Sequence, residues 1–332
     1  SRALSSEIAA CASRICSTDT AAMVGIYCLE TNPISLPATI YCAMLAGVDV
    51  VLIGADLAAA RQAPQLLDEL AARHRGSLAV DVLGAAVGAH RTTFDAREVF
   101  EGVTGTLRRP ALVTVVGAAD VAGWVTGEPG TRPDGLVVAG PAAGGHSRAD
   151  GAAEPAHLQA ATAAGLPFWL ADECSGPDGL AGALAEGAAG IQVGTAFALA
   201  RESGLREDLR ALALDRLRDG TLEVRTEPAV SPLGMPYRVA QLPGTLSEQQ
   251  LAAARVRPPC DLGYLRRPYL RPTGTVGYQC PAEPVDVFVR KGGTQEAASG
   301  RGCLCNSMLA AAGLGQVRGE GVEPPLVTLG TD

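Results

Sequence analysis

Two groups of residues in this chain have types and spacing that suit chemistry. The first is Gly140-Pro-Ala-Ala-Gly-Gly-His146, which follows the apolar run Asp134-Gly-Leu-Val-Val-Ala139. Glycines at a strand end let the backbone approach a ligand closely, and a histidine there exchanges a proton near neutral pH. The same pattern also describes a tight turn with a surface histidine. The second group is Cys260, Cys280, Cys303 and Cys305. Four thiolates suit a tetrahedral Zn²⁺ or an iron–sulfur cluster, and an irregular, proline-rich segment gains from such a staple. The spacing lacks the paired Cys-x-x-Cys of common zinc sites, so buried thiols packing as small hydrophobes fit it too. Asp172-Glu173 is an adjacent acid pair, read either as a solvated loop or as a ligand-discriminating one. Cys174 beside it lacks an activating neighbour, so it is not expected to be a nucleophile. His74, His90 and His157 read as surface or helix-capping residues.

Alternating elements must position these residues. Apolar runs at 22–28, 48–53, 78–83, 112–116, 135–139, 167–171 and 190–195 read as strands. Their unbroken hydrophobicity is that of parallel strands buried on both faces. Helical spacing recurs at 5–16, 37–46, 57–73, 118–125, 154–164, 177–186 and 196–217. About seven strands before residue 200, where a closed barrel of this type uses eight, imply a TIM (β/α)8-like barrel with its site on loops at the strand C-termini. Residues 1–222 are expected to form the barrel. Past about residue 222 the alternation stops and Pro, Gly and Cys rise, so 223–332 reads as an irregular extension packed on it.

With 332 residues, 47% of them hydrophobic, the chain is long enough for a large core. No apolar run reaches membrane-spanning length, and Ser1-Arg2-Ala3-Leu4 does not begin a signal peptide. A net charge of −8 argues against a nucleic-acid partner. Nine scattered cysteines with no signal suggest a reducing compartment, so a cytoplasmic location is expected.

Beyond these patterns, the chain resembles the nitronate monooxygenase (2-nitropropane dioxygenase-like) flavoproteins. The resemblance lies in Ala-Gly-Gly-His ending at His146, Phe168-Trp-Leu-Ala171, Gly187-Ala-Ala-Gly-Ile-Gln-Val-Gly-Thr-Ala-Phe197 and Glu202-Ser-Gly204. It continues in Cys260-Asp-Leu-Gly-Tyr-Leu-Arg266, Gly277-Tyr-Gln-Cys-Pro-Ala-Glu-Pro284, Arg290-Lys-Gly-Gly293 and Gly302-Cys-Leu-Cys-Asn306, and covers most of residues 22–316. It implies an FMN-dependent TIM barrel that oxidises a small nitronate-like or related carbon acid with O₂. It places FMN against Gly144, Gly145, Ser175, Gly176, Gln192, Gly194 and Thr195. His146 then takes a carbon-bound proton or orients the substrate.

Three features depart from that family. Nothing in residues 1–21 resembles its first strands. Its Ala-Gly-Gly loop is replaced by Ala171-Asp-Glu-Cys-Ser-Gly176, whose carboxylates would repel a phosphate dianion. Tyr27 stands where the family has an asparagine. The departures motivate an alternative: a non-flavin degenerate barrel subunit that completes or caps a flavin-bearing partner. A partner subunit or a second copy would cover the sheet edges that missing strands expose.

Overall fold

The computed structural model describes residues 23–28, 34–54, 57–100, 102–117, 120–146, 155–163, 165–172, 174–260, 262–318 and 321–331. The helix expected at 5–16, with Cys11 and Cys16, lies outside them, as does Glu173.

Strands β1 (Gly25–Cys28) and β2 (Val50–Ile53) pair in parallel. Next come β3 (Arg75–Val80) and β4 (His90–Asp95), an antiparallel hairpin apart from the main sheet. Strands β5 (Ala111–Gly117) and β6 (Gly135–Ala139) rejoin the sheet, and β7 (Gly145–His146) leaves it. Strands β8 (Phe168–Ala171) and β9 (Gly190–Ile191) complete it. The six-stranded order is β1-β2-β5-β6-β8-β9, all parallel. Every strand adds on the same side of its predecessor. A doubly wound sheet reverses at a switch point, whereas this winding never does, which is that of a TIM-like (β/α) barrel. Among the described residues no strand joins β1 to β9, so both remain edges.

The helices follow from the spacing. Helix α1 (Leu36–Leu45) begins with a proline in its first turn, where the missing N–H is not needed. Helix α2 (Leu57–Arg73) places Leu66, Leu67 and Leu70 on one buried face. These pack with Leu112, Leu136 and Phe168 into the core outside the sheet. The inner face carries Val113, Val137, Ala139 and Ala171, with Trp169 against them. Strand β6 is buried along its whole length because both faces are covered. Gly135 and Gly190 flank Trp169, where added Cβ atoms would stand 2.8 and 3.1 Å from its ring. Small neighbours on both sides are what let the indole lie across the inner face.

Short helices α3 (Val121–Val125), α4 (Pro155–Ala163) and α5 (Pro177–Ala185) link the later strands. Then α6 (Thr195–Ala198) is a single turn, and α7 (Glu207–Arg218) a separate helix. The continuous helix expected at 196–217 is therefore interrupted at 199–206, where Ser203 and Gly204 favour turns over helix. Two strand expectations also change. The strand expected at 78–83 instead spans Arg75–Val80 and pairs antiparallel with His90–Asp95, and the strand expected at 190–195 ends at Ile191.

The C-terminal third is built of small antiparallel pieces. Strands β10 (Val224–Glu227) and β11 (Tyr237–Ala240) form a hairpin whose inner strand pairs with β7. A second hairpin, β12 (Arg267–Leu270) with β13 (Val276–Gln279), is bridged to Leu83. Helix α8 (Gln249–Ala254), α9 (Val285–Arg290), α10 (Gln295–Ala298) and α11 (Leu304–Ala311) are all short. Among the described residues no helix is long and apolar enough to cross a membrane.

Candidate functional site

The C-terminal ends of β6, β8 and β9 surround a cavity of about 260 Å³. Gly144 and Gly145 form its wall after β6, and Asp172 its wall after β8. Gln192, Gly194 and Thr195 line it after β9. Five of the residues expected at a cofactor thus meet in one place. Gly145 has φ +78, and Cβ positions at Gly145 and Gly194 point into open space, so the backbone itself faces the cavity. Ser175 and Gly176 do not line it. Both are exposed, and Gly176 opens helix α5.

The last described residues of the chain cross this site. Thr328 lines the cavity and bridges to Val239. Gly330 N donates to Thr195 Oγ1 at 2.8 Å, and Thr331 N to Ala142 O at 3.1 Å. The strap lies so close that a Cβ on Gly144 would stand 2.7 Å from Gly330 N. Arg238, opposite Gly145 in β11, donates to Thr331 Oγ1 at 3.0 Å. No local sequence signal marks this strap; Leu329-Gly330-Thr331 reads as an ordinary chain end.

Asp172 is held firmly. Its Oδ1 accepts from Ala142 N at 2.9 Å, and its carboxylate presses on Gly140, where any Cβ would overlap it. Gly140 N also donates to Ala171 O at 2.8 Å, tying the β6 and β8 loops together. Of the acid pair, read as a solvated or a ligand-discriminating loop, Asp172 is thus bonded to the β6 loop at the cavity wall.

His146 is half-buried on β7, across from Tyr237. Their rings lie 5.4 Å apart, tilted 31°. Tyr237 is buried, its hydroxyl has no hydrogen-bond partner among the described residues, and burial pushes its pKa far up. The Tyr27 charge also acts on it. Tyr27, next to last in β1, has its hydroxyl over Gly54, so that a Cβ on Gly54 would collide with it. Tyr27, Tyr237 and His146 therefore converge from β1, β11 and β7. Pairing β7 with a strand 90 residues later is what brings Tyr237 in, and sequence spacing carries no sign of it.

The cysteines form a second neighbourhood. Burial first, with nearby thiols, Cys260 among them, adding to it, pushes the Cys280 thiol up to about 12 and Cys303 to about 11. Cys305 is raised by burial and by the same three neighbours. Yet among the described residues no three His, Cys, Asp or Glu side chains are arranged to hold a metal ion. The expected zinc or iron–sulfur set is gathered but not assembled. Arg255 and Glu323 border it as an ion pair 4% and 2% exposed.

Of the remaining histidines, His74 keeps the expected position at a helix C-terminus, its backbone N–H donating to Leu70 O at 3.0 Å, but is buried rather than on the surface. It ends α2 with φ 54, and its Nε2 lies 2.7 Å from Gly105 O. A carbonyl only accepts, so Nε2 carries the proton and Nδ1 accepts from Tyr41 O–H at 2.9 Å. His90 is a strand residue of β4.

No family model and no curated protein matches the chain. Among solved structures, the chain is similar to a variant of FabK from Thermotoga maritima. Identity is 17%, over 75% of this chain and 68% of that one, with a TM-score of 0.46. It is also similar to the enoyl reductase domain of MlnA from the macrolactin biosynthesis cluster of Bacillus amyloliquefaciens. There the identity is 11%, over 67% of this chain and 51% of that one, with a TM-score of 0.42.

Proposed function

We propose that the protein is a flavin-dependent oxidoreductase acting on a small carbon acid of the nitronate type, with O₂ as acceptor. The cavity at the strand C-termini carries this reading, because glycine backbone from the β6 and β9 loops faces it directly. That is where a barrel of this winding places its chemistry. The resemblance of the same loops to nitronate monooxygenases supports the substrate class.

The residues fit part of FMN and not all of it. Cβ-free walls suit a flat or chain-like group laid against the sheet end. A phosphate dianion is not suited, since Asp172 is the charged group on the wall and, among the described residues, no Arg, Lys or His lines it. When bound, a flavin supplies the redox chemistry. The chain supplies placement, and His146 holds or takes the substrate proton at the edge of the site. The half-buried ring, braced against Tyr237, is oriented without being sealed from solvent.

The absorbance spectrum of the purified protein tests this, alone and after addition of flavin. A bound flavin spectrum is expected. A protein that is colourless and takes up no flavin overturns the reading.

A further inference from the structure

We infer that the cavity selects a flavin whose side chain ends in a free hydroxyl over one ending in a phosphate, with Asp172 as the specificity-determining residue. This rests on the flavin reading of the site. Asp172 cannot swing aside: Oδ1 is bonded to Ala142 N and the carboxylate is wedged against Gly140. The other polar wall groups, Gln192, Thr195 and Thr328, are neutral. Thr195 Oγ1 accepts from Gly330 N, which leaves its hydroxyl proton free to donate to a neutral acceptor. Arg238, the cation opposite Gly145, donates Nη2 to Thr331 Oγ1, has its Nε buried without a partner among the described residues, and does not line the cavity. Helix α6 spans only four residues, too short to supply a strong field of its own.

A dianion brought here meets the like charge of Asp172, finds no counter-charge among the described residues that line the cavity, and loses its water. A ribityl hydroxyl instead donates to the carboxylate in a charge-assisted bond and finds further partners in the amide and hydroxyls. The wall is complementary to a neutral polyol.

Titration of the flavin-free protein with riboflavin and with FMN tests this, read by flavin fluorescence. Wild type should bind riboflavin about tenfold or more tightly than FMN, the scale of one partly screened like-charge pair. Asp172→Asn should abolish that preference by tightening FMN. Raising the salt concentration should narrow the gap for wild type, a readout that needs no variant. FMN binding to wild type as tightly as riboflavin overturns the inference and leaves the flavin reading standing. So does an Asp172→Asn ratio equal to that of wild type. Binding of neither flavin, to either protein, overturns both.

Discussion

Glu323 anchors the segment that leads to the strap over the cavity, and its removal should be costly. Its side chain is 2% exposed and that of Arg255 4%. Arg255 donates Nε to Oε1 at 2.6 Å and Nη2 to Oε2 at 3.1 Å, and Ser307 Oγ donates to Oε1 at 3.0 Å. Arg255 Nη1 is already buried without a partner. Glu323→Gln keeps the shape, removes the charge and turns one acceptor into a donor facing a guanidinium. Breaking a buried pair from one side costs about 3–5 kcal/mol, because the remaining ion has no water and no partner. Domains of some 200 residues lose about 2–4 °C per kcal/mol, so a fall in Tm of roughly 10 °C is expected. Differential scanning calorimetry and urea midpoints measure it. The double variant Arg255→Met/Glu323→Leu should recover most of the loss, since an apolar pair replaces an ion pair at little net cost. A Glu323→Gln protein within about 1 kcal/mol of wild type would refute the reasoning. A double variant as unstable as the single would refute it equally.

Other outcomes follow from the same structure. Tyr41→Phe leaves His74 Nδ1 buried without its donor and should cost about 1–3 kcal/mol by urea midpoint. His146→Ala should keep any flavin spectrum and cut turnover by about 10²–10⁴-fold, the scale of a positioned general base; unchanged turnover assigns it a structural role. Thr195→Val removes the acceptor of Gly330 N and should speed amide exchange at Gly330 while the sheet amides stay protected. Burial raises the Cys280 and Cys303 thiols, so the fold favours their neutral form. Their contribution is complete below the ordinary thiol pKa of about 8.5 and is lost as pH rises towards about 11–12. Urea midpoints at neutral and alkaline pH should show a decline that Cys280→Ala lessens.

Local composition determined the strands of the main sheet. The apolar run at 135–139 coincides with Gly135–Ala139, and that at 112–116 falls inside Ala111–Gly117. Runs that short and that apolar, bounded by Gly, Pro or Asp, have one stable place, between two covered faces. The glycine loops at 144–145 and 194–195 were legible for a related reason, since a backbone that must face a ligand carries its mark in residue type. What depends on partners was not legible. The run at 78–83 is apolar whether its neighbour is parallel or antiparallel, and only the hairpin with 90–95 decided it. His74 looks like a helix end until Tyr41 and Gly105 enclose it. The spacing of the cysteines cannot state distances, and the tertiary structure gathers them without a ligand geometry. The Tyr237 partner of His146 and the strap at 328–331 arise from contacts between distant stretches, which depend on global packing and leave no periodic trace along the chain.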